Sequence, residues 1–267
     1  MDLETAAKQL EKFEDSIITA IIERAQYKAN LILYEREPGE PGVAGTQQES
    51  LFELWLNRWE MMESSLGGFD QPEERPFQRI PFRQDLPTSK RAHRGLGSAS
   101  GIGVKPENSP SIEPEIKIHH FESINLTAEI RRSYLELVPR ICARGDDGKY
   151  GVSAVRDIIA LKDMARRIHF GALYVAELKY RDNPSLMKSL IEEGKSGHLL
   201  QAITRADVEE EIVRRVEKKA AAIQTESDRR IRTFVAPDIL ASLYRDTIFP
   251  LTKRGEVTYL LNRPPSD

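Results

Sequence analysis

The stretch from Asp157 to Tyr180, DIIALKDMARRIHFGALYVAELKY, constrains the fold of this chain more than any other. It contains no proline. Apolar residues recur at three- and four-residue steps through Ile158, Leu161, Ala165, Ile168, Leu173, Ala176 and Tyr180, the pattern of one long helix with a buried face. Arg166, Arg167, His169, Glu177 and Lys179 interrupt that frame. A cation on a mainly buried helix is costly unless it has a partner. Read alone, these residues are solvated helix edges plus a satisfied core histidine.

Length and charge narrow the function classes. A chain of 267 residues can bury a sizeable core as one large domain or two small ones. A net charge of -3 with 30% charged residues is nearly balanced, which argues against nucleic acid or a membrane surface as partner. No apolar run approaches the ~18 residues of a membrane span. The single cysteine, Cys142, excludes an internal disulfide, and five histidines without ligand spacing give no zinc motif. The charged start, MDLETAAKQLEKFEDS, lacks the apolar core of a signal peptide. The expectation is a cytoplasmic protein if Met1 is the natural start, and a secreted one if a leader has been removed. In that second case the sequon at Asn125 becomes relevant.

Along the chain the periodicity predicts helices over 3–34, 48–66, 127–143, through 157–180, over 185–192, over 198–224 and from about Pro237 to Leu261. In the second, Leu51, Leu54, Trp55, Trp59, Met62 and Leu66 form the expected buried stripe. In the last, Pro250 is expected to bend the helix and Gly255 to loosen it by about 1 kcal/mol relative to alanine. No strand pattern or repeat stands out. The expected architecture is all-α, with about seven helices in a single domain over 1–267. A long loop at 78–114 carries Lys90, Arg91, His93 and Arg94. The run GLGSASGIG within it follows no strand and lacks the lysine of a phosphate-binding loop.

Several motifs, in order along the chain, resemble the eukaryotic-type, all-helical chorismate mutases. These are FEDSIITAIIERAQY in the first helix, the spaced Phe69, Pro72, Glu73, Glu74, Pro76 and Phe77, and YGVSAVRD before the central helix. RRIHFG followed by VAE-x-K, ITRADVEEEI and FPLTKRGEVTYLLNR complete the set. The resemblance spans about residues 10 to 263 apart from the long loop. It implies a homodimer that converts chorismate to prephenate by a Claisen rearrangement, in aromatic amino-acid biosynthesis, with no cofactor and no metal. It also implies site residues: Arg167 for a substrate carboxylate, Lys179 and a protonated Glu256 as donors to the ether oxygen, Glu209 for the hydroxyl, and Thr252 for a carboxylate.

The chain departs from the family pattern in three ways. The family has an essential arginine seven residues before the Glu of the FED triplet, where this chain has Ala7. Arg205 is expected to substitute, because it stands four residues from Glu209 and would share its helix face. The family's lysine follows its arginine by eleven residues, whereas Lys179 follows Arg167 by twelve. One extra residue rotates a regular helix by about 100°. A one-residue π-bulge near Gly171-Ala172 would absorb it. Finally, the arginine pair and hydroxyls that hold an aromatic amino-acid effector are replaced by Gly67-Gly68, Val152 and Val155. The reading is therefore a chorismate mutase without feedback control. The alternatives are a related pericyclic enzyme or lyase acting on a chorismate-like acid, and a non-catalytic interaction protein on the same scaffold.

Overall fold

The computed structural model describes residues 1–36, 49–66, 73–74, 116, 118–226 and 231–263. The 78–114 loop, the Gly67-Gly68 pair and most of the 69–77 segment lie outside these residues. Among them there are eight helices and no strand. They are α1 (Leu3–Ala25), α2 (Leu51–Leu66), α3 (Thr127–Ile141), α4, α5 (Pro184–Glu192), α6 (Ser196–Ile203), α7 (Ala206–Glu226) and α8. Two of them are compound. α4 runs through Tyr150–Phe170, a π-helical turn at Gly171–Val175, and Ala176–Asp182. α8 runs through Pro237–Leu243, a second π-helical turn at Tyr244–Ile248, and Phe249–Asn262.

Helix α4 is central. Ala154, Ile158, Leu161, Met164, Ala165 and Ile168 are all buried on one face, and α1 packs along it with Ile17, Ile18 and Ile21. Each fully buried aliphatic side chain contributes roughly 1.5–3 kcal/mol relative to exposure. His169 is the satisfied core histidine expected of it. Its Nδ1 lies 2.7 Å from the Ala165 carbonyl oxygen, and its Nε2 accepts from the Leu126 N–H at 3.0 Å. Burial lowers its pKa to about 4, so the ring is neutral.

Three predicted elements are corrected. The first helix ends at Ala25 rather than continuing to 34. The cause is Arg24, which is fully buried. Its guanidinium donates to the carbonyls of Lys28 and Ala29 at 3.0 Å each, which turns the chain around the arginine head. Asn30 then adopts a left-handed conformation, φ 50°. The second correction is to α2, whose buried face carries Phe52, Leu56 and Glu60. Leu51, Leu54, Trp55 and Met62, expected inside, are 41–50% exposed. Apolar residues cover two faces of this helix, and a single chain covers one of them. The third correction is the helix predicted over 198–224. It is broken at Thr204-Arg205 into α6 and α7, so Arg205 precedes the helix that carries Glu209.

The two π-helical turns have different origins. That in α8 leads into Pro250, which has no N–H to donate to a carbonyl four residues back. The expected disturbance at Pro250 thus takes the form of a widened turn before it. That in α4 holds the extra residue between Arg167 and Lys179, in the position the spacing predicts. Twelve steps of a regular α-helix would rotate Lys179 about 120° from Arg167, while eleven leave about 20°. One π-helical turn restores the smaller angle.

Candidate active site

A cavity of about 360 Å³ opens between α1, α4, α7 and α8. That is within the range of small-molecule sites. Arg167, Lys179, Arg205, Glu209, Thr252 and Glu256, the six residues singled out in the sequence, all line it. They come from segments separated by tens of residues, and nothing but the fold brings them together.

Arg167 sits at the inner end, 4% exposed. Its Nε and Nη1 are buried and have no hydrogen-bond partner among the described residues. Burial disfavours its charge, and Tyr244, Glu14 and Glu256 offset that effect. Opposite it, the Lys179 ammonium donates to Glu256 Oε2 at 2.9 Å and to the Ile203 carbonyl at 2.9 Å. Burial raises the pKa of Glu256, which is 3% exposed, and Lys179 opposes the rise. A dianion entering the cavity would push it further in the same upward direction. The Thr252 hydroxyl donates to the Ile248 carbonyl at 2.7 Å, which leaves its oxygen as an acceptor and its methyl against Gly171.

Nearer the mouth, Glu209 is held by Lys253 Nζ at 3.0 Å. Arg205 is exposed and loosely paired with Asp207 at 3.4 Å, and Ala7 and Lys8 complete the rim. Lys8 is bound to Glu4 at 2.7 Å. Sequence reasoning missed Lys253 and the buried Glu14, which receives both arms of Arg215 at 2.9 and 3.0 Å and Lys219 at 3.0 Å. The signal for the second cluster was present. Arg215 and Lys219 stand four apart on one face of α7, and Glu11, Glu14 and Asp15 share a face of α1.

The pocket is thus lined by cations and by carboxylates with unlike environments, around a buried guanidinium with two donors unpartnered among the described residues. No family model matches the chain. Known proteins do. The chain is 33% identical to "Chorismate mutase 3, chloroplastic" of Arabidopsis thaliana, over 98% of its own length and 78% of that protein's. To "Chorismate mutase 2, cytosolic" of Zea mays it is 32% identical, covering 98% and 96%. The chain belongs to the chorismate mutases. Among solved structures it superimposes on the chorismate mutase Aro7p of Candida albicans, in complex with L-Trp, with a TM-score of 0.78. Identity there is 29%, covering 98% of this chain and 91% of the other. The activity is the isomerisation of chorismate within aromatic amino-acid biosynthesis. Chorismate mutases therefore set the frame for the pocket: a dicarboxylate substrate and a rearrangement in which an ether bond breaks as a carbon–carbon bond forms.

Proposed function

We propose that this pocket rearranges chorismate to prephenate with Arg167, Lys179, Glu209, Thr252 and Glu256 in the roles their chemistry suits. The observation that carries the reading is Arg167, whose buried Nε and Nη1 have no partner among the described residues and whose side chain lines a cavity shared with the Lys179–Glu256 pair. A buried donor without a partner costs about 1–3 kcal/mol or more if charged, and an anionic ligand removes that cost. Arg167 takes a substrate carboxylate and holds the reactive chair, so that the ends of the rearranging system are already in contact distance. Lys179 donates to the ether oxygen, where negative charge grows as the carbon–oxygen bond lengthens. Glu256, protonated, donates to the same oxygen. Glu209, oriented by Lys253, accepts from the substrate hydroxyl. Thr252 contacts a carboxylate. The reaction moves electrons within the substrate alone, so these residues bind, orient and donate hydrogen bonds without forming a covalent intermediate.

The second carboxylate needs a cation at the mouth, where Ala7 offers none. Arg205 is the candidate, weakly held by Asp207 and so free to turn inward, and Lys8 is the rival. We further propose a homodimer. The outward face of α2, with Leu51, Trp55 and Met62, adjoins exposed Val152, Val155 and Ile159 of α4, and Gly151 lies against the Trp55 ring. A contiguous apolar face of this kind favours association. Val152 and Val155 also offer an amino-acid zwitterion no hydrogen bond, which supports the absence of feedback control. A cytosolic setting parallels the maize relative, and the chloroplastic relatives make an organelle the alternative to test by fractionation.

The test is an assay of purified protein that follows loss of chorismate absorbance and identifies the product, with light scattering of the same sample. Prephenate from a dimer supports the reading. Pyruvate release or another isomer would assign a different reaction. No turnover in a folded dimer would leave an interaction protein on this scaffold.

A further inference from the structure

The π-helical turn of α4 and the glycine at 255 occupy one another's space. A side chain begun at Gly255 would have its Cβ 2.5 Å from the Ala172 Cβ and 3.2 Å from Leu126 Cδ1. The first distance is too short for the two helices to stay where they are, and the second requires the Leu126 side chain to give by a few tenths of an ångström. At the preceding residue of α4, and about one turn earlier on α8, a Cβ at Gly171 would lie 2.6 Å from Thr252 Cγ2. Thr252 cannot easily turn away, because its hydroxyl is bound to Ile248. Two positions about a turn apart on α8, Thr252 and Gly255, therefore touch the adjacent residues Gly171 and Ala172 of the widened turn, and both contacts require glycine on one side. A π-helical turn carries one residue more than an α-helical turn, and that residue must project somewhere. Here the widened turn projects toward α8, with Ala172 buried against Gly255. Sequence periodicity treats Gly255 as a weak point of its helix. In the fold it is the position that makes room for the extra residue.

We propose that Ala172 and Gly255 are a compensating pair of positioning residues. The inserted residue fills the volume that the missing side chain leaves, and their fit sets the rotation at which Lys179 enters the cavity and meets Glu256. Neither residue acts on substrate. In its kinetic consequences the proposal rests on the role given above to Lys179, while the packing itself is tested by stability alone.

The experiment is a cycle of Gly255→Ala, Gly255→Val, deletion of Ala172, and deletion combined with each substitution. Deletion converts the turn to regular α-helix, whose eleven steps keep Lys179 within about 20° of Arg167 but leave a void beside Gly255. Gly255→Val in the full chain should lower the melting temperature by several degrees and kcat/KM by about 100-fold, chiefly through kcat. Gly255→Ala should do the same more mildly, and it serves where the valine variant does not fold. In the deletion background the same substitutions should raise the melting temperature and return kcat/KM to within about tenfold of the unmodified protein. Moving Lys179 away also removes the cation that opposes the rise in Glu256 pKa, so the alkaline limb of the pH profile should shift upward in Gly255→Ala and return in the double variant. Substitutions that are equally harmful in both backgrounds, or harmless in both, would overturn the pairing. Rescue of stability without rescue of kcat would retain the packing and overturn the link to Lys179. An unmodified protein inactive toward chorismate would sink the proposed activity while the stability cycle still decided the pairing.

Discussion

Of the arginines buried among the described residues, the two deepest differ in what surrounds them. Arg24 is 0% exposed and Arg167 4%. Around Arg24 nearly every donor is used. Its Nε binds Asp157 at 2.6 Å, its Nη2 reaches the Ala29 carbonyl and the Tyr34 hydroxyl, and its Nη1 reaches Lys28 and Cys142. Tyr34 and Tyr134 each donate to the same aspartate at 2.6 Å, which completes the cluster. Arg167 has comparable burial and lines the cavity, yet its Nε and Nη1 have no hydrogen-bond partner among the described residues. A buried charge that is fully paired ties elements together. One left unpaired is a cost that a ligand must relieve. The contrast supports, without reference to any relative, the proposal that Arg24 belongs to the scaffold and Arg167 to the site.

The largest effects should come from removing each arginine in turn. Arg24→Ala leaves Asp157 buried without its cation and should cost about 3–5 kcal/mol of stability, read by denaturant unfolding. Arg167→Ala should leave stability unchanged or improved and lower kcat/KM by at least about 100-fold, as should Lys179→Ala. If Arg167→Ala unfolds the protein as Arg24→Ala does, the two sites are not different in kind and the contrast fails.

The pH profile sharpens the same comparison. Burial raises the pKa of Glu256, so its protonated, donating form persists to higher pH than an ordinary glutamic acid and is lost as pH rises through that raised value. Activity should therefore be higher in mild acid and fall toward neutrality and above. Glu256→Gln keeps a donor at every pH and should flatten that fall. A profile of unchanged shape in the variant would remove Glu256 from the chemistry.

A smaller effect is expected at the wet end of the pocket. Arg205→Asn should raise KM several-fold with little change in kcat, because an exposed cation contributes about 1 kcal/mol or less to holding an anion. Unchanged kinetics there, with a raised KM in Lys8→Ala, would assign the role to Lys8. The smallest effect should be that of free tyrosine and tryptophan at millimolar concentration, which are expected to leave the rate within error. A several-fold change would locate an effector site on other residues.

Most of the fold was legible in the sequence, because three- and four-residue apolar spacing needs no partner to be seen. Five of the six candidate site residues were legible only by resemblance, and Arg205 only by its spacing from one of them, since an arginine in a helix looks the same whether its partner is solvent, an aspartate or a substrate. Even the π-helical turn was predictable once two residues were required to share a face twelve positions apart. What the sequence could not determine was set by distant contacts. Arg24 ends α1 because it takes carbonyls from the chain beyond it. Phe52 and Leu56, not Leu51 and Trp55, face the core because α4 covers that side of α2. Arg205 left the predicted helix face when the chain broke between α6 and α7. Gly255 reads locally as a defect, and only the approach of Ala172 from another helix makes it a requirement. Periodicity reports which face of a helix prefers to be buried. Which of two apolar faces is covered, and which buried charge is left free, depends on atoms far along the chain that only the tertiary structure brings within reach.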